Sequence, residues 1–182
     1  MGNNMIGLKR GTVKLLKHNP RWDASFEQEK KKLKKIFGRD VLDIQHVGST
    51  SISGMLAKPI IDIAVVVPSL KKTKRYVRAL KRAGYELKNN DSRQAERLFF
   101  TKGPEVRRTH YLHIGEIEGG YIDDMILFRD YLRNHKRAAR KYAELKKKLA
   151  EQYSERRDIY AKKRKRFVNM IAKKARKSLR QR

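Results

Sequence analysis

The sequence predicts an α/β chain of the α+β kind, with a mixed sheet flanked by helices and a C-terminal helical segment. Three observations carry that expectation. Residues 60–67, IIDIAVVV, form an apolar, β-branched run of strand length, suited to burial on both faces. Residues 41–47, VLDIQHV, alternate apolar and polar as a half-buried strand does, and stop at Gly48. From about residue 121 onward apolar side chains recur at helical spacing to the end of the chain.

Taken in order, Trp22, Phe26, Leu33, Ile36 and Phe37 lie at roughly helical spacing between Pro20 and Gly38, which predicts a helix over 22–37 packed on the sheet. The strand at 41–47 leads into STSISGMLA, small and hydroxyl-rich, and Pro59 opens the central strand. Ser69 is placed to cap a basic amphipathic helix running to about Ala83, with Tyr76, Val77 and Leu80 on its inner face. Gly84 ends that helix, and YELK reads as a short strand. Strands near 97–102 and 106–114 follow, separated by the Gly103-Pro104 turn signal. Helices over 121–134, 136–152 and 155–178 fit the spacing of Ile122, Met125 and Ile126, of Tyr142, Leu145 and Leu149, and of Tyr160, Phe167 and Ile171. At 182 residues the expectation is one domain over 1–182, with its core at about 22–167 and a basic C-terminal helix and tail beyond.

Charge is distributed unevenly along this frame. The formal net charge is +28, from 47 Lys+Arg against 19 Asp+Glu. Residues 41–67 hold Lys58 against Asp43 and Asp62, and 110–130 hold Arg129 against five acids, whereas 131–182 alone carries +17. A neutral-to-acidic centre is therefore wrapped in basic helices, and a field of that sign concentrates polyanions such as RNA and nucleotides. Solvation of helix faces by Lys and Arg is the plainer reading of the same composition. With no cysteine, disulfides and thiolate metal ligands are excluded, which fits a reducing cytoplasm. The opening residues lack an apolar signal region and no stretch approaches a membrane span, so a soluble, cytoplasmic protein without membrane partners is expected.

The chemistry concentrates in HVGSTSISGMLAKPIIDIAV (46–65). Gly48 permits backbone angles and close approaches denied to other residues, while Ser49, Thr50 and Ser51 offer hydroxyls and successive N–H groups to a phosphate. Asp62 lies between apolar neighbours, where a carboxylate is costly unless a metal or a basic side chain pairs with it. Phosphoryl and nucleotidyl transfer use such an arrangement, with Mg²⁺ offsetting phosphate charge and orienting the attacking group.

At these residues the sequence resembles the nucleotidyltransferase superfamily, whose signature is a Gly-Ser pair, a spacer, and an Asp followed two residues on by Asp or Glu. More narrowly, HVGSTSISGMLAKPIIDI together with LFRDYLRNH (127–135) resembles the GrpB-like family over about 22–167. The resemblance implies a nucleotidyltransferase-like sheet, an NTP substrate and Mg²⁺. It implies Asp62 as metal ligand, Gly48, Ser49 and Thr50 as phosphate contacts, and His113 as ligand or proton acceptor, with Ser49 and Asp62 at the catalytic centre. One element departs from the superfamily signature: the second carboxylate position, two residues after Asp62 on the same strand face, is Ala64, and the resemblance implies that GrpB-like proteins often lack that acid too. Tyr111 also departs from the family, where histidine is usual.

Lys58 at the strand entrance, and Arg93 and Arg97 flanking a later strand, are further candidates for phosphate contact, with a solvated surface role as the alternative. Ser49 as a helix cap, Asp62 as an ion-pair partner and His113 as a structural histidine are the corresponding plain readings. Arg129 and Asp130 are expected to brace their helix against the sheet. Two functions follow. The first is a metal-dependent nucleotidyltransferase that moves a nucleoside monophosphate from an NTP to an acceptor. The second, favoured by Ala64, is a module of that fold that lost catalysis and holds nucleotide or RNA through its basic surface.

Overall fold

The computed structural model describes residues 6–88, 96–116 and 120–180. In chain order its elements are β1 (Leu8–Lys9), α1 (Arg21–Phe37), β2 (Asp43–Val47), β3 (Ile61–Val67), α2 (Leu70–Thr73), α3 (Val77–Arg82), β4 (Tyr85–Leu87), β5 (Leu98–Lys102), β6 (Arg107–Arg108), β7 (His110–Glu116), α4 (Tyr121–Asn134), α5 (Lys136–Gln152) and α6 (Arg157–Arg180).

Five strands form a mixed sheet in the order β2-β3-β7-β5-β4. β3 pairs antiparallel with β2 and parallel with β7, and β7 and β4 pair antiparallel with β5. The central run is buried on both faces, as its composition requires. Ile61, Ile63, Val65 and Val67 join Trp22, Phe26, Leu33 and Phe37 of α1 in one core. On the opposite face Val47, Ala64 and Val66 pack with Ile122 of α4. Asp62 is the one residue of β3 that is not buried outright.

α1 spans the expected turn of sequence and buries its apolar stripe, together with one carboxylate. Glu29 is 3% exposed, and its side chain accepts from Lys102 Nζ of β5 and from the Tyr85 hydroxyl of β4 at 3.2 Å. The helix is thereby locked to the far edge of the sheet by a paired charge as well as by packing.

The structure corrects two expected elements. The helix expected from Ser69 to about Ala83 is interrupted by a 3-10 turn at Lys74–Tyr76. Ser69 does accept from Lys72 N at 3.4 Å, but the buried Thr73 hydroxyl donates to Ser69 O at 2.7 Å. The Tyr76 hydroxyl reaches Phe37 O at 3.3 Å, so this segment follows α1 rather than a straight axis. The strand expected at 106–114 divides at Thr109. β6 turns away to pair with β1, a partner nearly a hundred residues distant, and β7 alone enters the main sheet.

The three C-terminal helices occupy the expected segments and pack over the loop between β2 and β3. Ile52 and Met55 of that loop join Phe128, Leu132, Tyr142 and Ile171 in one cluster. This contact brings side chains of α5 and α6 over the Gly48-Ser49 corner. No helix among the described residues is long and apolar enough to cross a membrane.

Candidate functional site

Sheet register assembles one polar face. Val47 of β2, Asp62 of β3, Tyr111 of β7 and Thr101 of β5 stand in one row, and Gln45, Ala64, His113 and Phe99 in the next. At the edge of this face the chain turns at Gly48 into a 3-10 helix, Ser49–Ser51. Gly48 has φ +72, and a Cβ there would lie 2.4 Å from Asp62 Oδ2. Glycine is required here on both counts, because the backbone angle and the approach of the carboxylate each reject a side chain. The corner and Asp62 are therefore in direct van der Waals contact, as the Gly-Ser and Asp spacing predicts.

Among the hydroxyls, Ser49 opens toward the C-terminal helices. Its Oγ lies 3.1 Å from Lys146 Nζ, and that ammonium or amine also donates to Leu56 O. Thr50 is turned inward, with Oγ1 3.0 Å from His46 Nε2 and 3.5 Å from Ile60 O. His46 stacks on Phe26 and places Nδ1 3.1 Å from Asp23, so Nδ1 carries the proton and Nε2 accepts from Thr50. Burial holds this histidine down at about 4 against the opposing pull of Asp23 and Asp62. The Thr50 side chain is thus committed internally, and a phosphate at the corner would meet its backbone N–H. Ser51 Oγ likewise donates to Gly48 O at 2.7 Å.

His113 stands beside Asp62, with Nε2 3.5 Å from Asp62 Oδ1. The expected role as metal ligand does not match its hydrogen bonding. Arg97 donates to His113 Nδ1, so Nε2 carries the ring proton and presents an N–H to Asp62 rather than a lone pair to a cation. Arg97 is itself sandwiched, its Cζ 4.7 Å from the Phe99 ring and 4.2 Å from the Tyr121 ring. It positions His113. Ala64 is fully buried under Ile122, so the place of the second carboxylate is filled by the packing of α4. Among the described residues no group of three or more His, Asp or Glu side chains could hold a metal ion.

The corner, Asp62 and His113 open into a cavity of about 910 Å³, a volume that suits a nucleotide-sized ligand. Lys58 lies in it, with Nζ 5.2 Å from the Tyr160 ring. Arg93 falls outside the described residues. The sheet face and α4 form one side of the wall, and α5 and α6 form the other. Lys146, 1% exposed, adjoins Tyr142 at 4.5 Å, and Arg157 donates to the Tyr111 hydroxyl at 2.7 Å. Arg164 Cζ is 5.9 Å from the Tyr160 ring, and its Nε is buried with no hydrogen-bond partner among the described residues. Burial, reinforced by Arg157 and Arg164, pushes Lys58 well below the ordinary lysine range. Burial and Arg164 bring Lys146 down to about 6.

Arg129 is the brace that the sequence predicts. It donates to Gln45 Oε1 at 2.7 Å and to His46 O at 2.8 Å, fastening α4 to β2. Adjacent positions on a helix point apart, yet its guanidinium folds back onto Asp130 at 2.7 Å. Sequence reasoning missed Lys146, Arg157 and Arg164. Their signal was a cation at an inward position of the helical period: Lys146 between Tyr142 and Leu149, and Arg164 between Tyr160 and Phe167.

Residues 12–174 match the model of the GrpB protein family. The chain is 39% identical over 170 residues to the glutamate-rich protein GrpB of Alkalihalophilus pseudofirmus, covering 92% of this chain and 98% of that one. Among solved structures, the conserved protein GrpB from Enterococcus faecalis superposes with TM-score 0.84 at 34% identity, over 91% of this chain and 99% of that one. The Cid1 poly(U) polymerase with Mg 3'-dATP superposes with TM-score 0.51 at 18% identity, over 75% of this chain and 43% of that one, a likeness of fold alone.

Proposed function

The chain belongs to the GrpB family and carries a nucleotidyltransferase-like fold, and from that premise we propose that its cleft binds a nucleoside triphosphate at the Gly48-Ser49 corner. The observation that carries the reading is the contact of Asp62 with that corner beneath a cavity walled by cations and aromatic rings. Backbone N–H groups of residues 49–51 and the Ser49 hydroxyl would face the phosphates. Tyr111 lines the same cavity and supplies ring surface for a base, whereas Phe99 and Tyr121 are engaged by Arg97.

The donor set is poor for a resident Mg²⁺. Among the described residues Asp62 is the one carboxylate at the corner, His113 offers it an N–H, and the other carboxylate of the wall, Asp124, lies 2.8 Å from Arg176. A Mg²⁺ ion arriving on the phosphates would meet Asp62 as its protein ligand, where transfer chemistry calls for carboxylates on both sides of the metal. The geometry therefore favours a nucleotide-holding module over an efficient transferase. Exposed Lys163, Arg166, Lys173 and Lys177 along one stripe of α6 favour RNA as a further partner.

Titration of labelled nucleoside triphosphates against the wild type and Asp62→Asn tests the reading. We expect saturable binding by both proteins and no release of pyrophosphate. Metal-dependent turnover abolished by Asp62→Asn would restore the transferase reading. Absence of nucleotide binding by the wild type would refute both.

A further inference from the structure

The cleft contains far more positive than negative charge, and the imbalance is local. Lys58, Lys146, Arg157 and Arg164 come from the β2-β3 loop, α5 and α6, and converge around Asp62. Arg157, Arg164 and Lys146 each act electrostatically on Lys58, and among the described residues the acid acting on it is Asp62. Like charges enclosed at this range oppose one another and persist only where packing holds them. Tyr142, Tyr160 and Tyr111 supply that packing, each ring lying against one or more of the four cations. The buried Nε of Arg164 is a donor without a partner among the described residues, and the buried Thr101 Oγ1 on the sheet face is another unused polar atom. Both line the cavity.

Such a site is built for an anion with several charges in a short chain. In metal-dependent phosphate sites carboxylates hold the cation and the cation holds the phosphates. Here, among the described residues, the carboxylate positions are reduced to Asp62, Ala64 is sealed, and two guanidinium groups with two lysine amines occupy the opposite wall, the amines taking up protons as an anion enters. We propose that Lys58, Lys146, Arg157 and Arg164 take the place of the divalent metal, so that the cleft binds a triphosphate chain, free or on a nucleoside, without Mg²⁺. The proposal rests on the nucleotide reading above and adds the charge carrier to it. Asp62 then acts against the anion: it holds His113 and the corner in place and repels the phosphates.

The test is calorimetric titration of the full chain with inorganic tripolyphosphate and with ATP, in EDTA and in excess Mg²⁺. Binding of both in EDTA is expected, weakened by Mg²⁺ because the ion neutralises the ligand. Arg164→Gln and Lys146→Gln are expected to weaken it by about tenfold each, the cost of one charge-assisted contact. Asp62→Asn is expected to strengthen it. Arg164→Lys, which keeps the charge, distinguishes lost binding from lost folding, and circular dichroism checks every variant. Binding that requires Mg²⁺ and is lost in Asp62→Asn would overturn the inference and leave the nucleotide reading standing. Binding in EDTA that ignores Arg164 and Lys146 would also overturn it, assigning the anion to the outer helices. Binding of tripolyphosphate without ATP would uphold the charge assignment and remove the nucleotide. No binding under either condition would remove both.

Discussion

Lys146 shows at the scale of one residue what the cleft demands. Its amine is enclosed by the Ser49 hydroxyl, Leu56 O, the Tyr142 ring, Arg164 of α6 and Lys58 of the β2-β3 loop, and no carboxylate in that set holds its proton. With a value of about 6 it is largely neutral at pH 7 in the free protein. Its folded value lies below the ordinary lysine value of the unfolded chain, so the unfolded state binds more protons across that interval. Lys146 therefore costs stability as pH falls toward 6. A bound polyphosphate reverses the local field and favours the charged form. Anion binding at pH 7 is therefore expected to take up protons, and affinity to fall as pH rises above 6, levelling off below it. Calorimetry in buffers of different ionisation enthalpy measures the uptake. Lys146→Gln is expected to reduce it, and an unchanged value would show that this amine does not meet the anion. Gly48, Ser49 and Asp62 were legible in the sequence because a glycine corner and an acid inside an apolar run are local anomalies. Lys146 was not, since one more lysine in a helix reading RKYAELKKKLA becomes unusual only when the inward face is known.

Among the elements, those whose signal is periodic were legible: α1, β3 and the three C-terminal helices lie close to where spacing places them. The short ones were not. β1 and β6 are two residues each and exist because they find one another across the fold, a pairing with no local trace. The break between α2 and α3 comes from a threonine bonding backward and a tyrosine anchored to α1, contacts equally invisible to periodicity. The docking of α1 is the element whose energetics can be tested directly. Burial pushes Glu29 up, but Lys102 with its neighbours outweighs this and keeps the carboxyl below its usual value. Lys102→Met is expected to destabilise the fold by about 2 kcal/mol, because it leaves a buried carboxylate with only the more exposed Lys32 ammonium at 3.3 Å and the Tyr85 hydroxyl as partners among the described residues. The double variant Glu29→Met/Lys102→Met is expected to recover most of that loss, leaving the Tyr85 hydroxyl as residual cost. Urea unfolding of the wild type, Glu29→Met, Lys102→Met and the double variant measures the coupling. Additive losses in the double variant would show that the pair does not act as a unit.

Over the whole molecule, the sheet that carries the corner is near neutral while the helices around it carry the excess charge, and this division creates two anion surfaces of different character. The cleft is a half-open concavity of about 910 Å³, lined by Arg157, Arg164 and two lysine amines and roomy enough for one polyphosphate chain with or without a nucleoside. The outer stripe of α6, with Lys163, Arg166, Lys173 and Lys177 at helical spacing around the exposed Met170, is open and suited to a phosphate backbone that can slide along it. Counterion release then separates the two. Affinity for single-stranded RNA is expected to fall steeply with added salt, by about 0.7 logarithmic units per logarithmic unit for each phosphate contacted. Replacing the four stripe residues with Gln is expected to make that slope shallower by about 3 units. The same substitutions should leave tripolyphosphate binding in place, whereas Arg164→Gln should weaken tripolyphosphate and spare the RNA slope. Filter binding across a salt series gives both readings. If one set of substitutions lowered both affinities in parallel, the two surfaces would be a single one, with the cleft serving as the end point of an RNA track along α6.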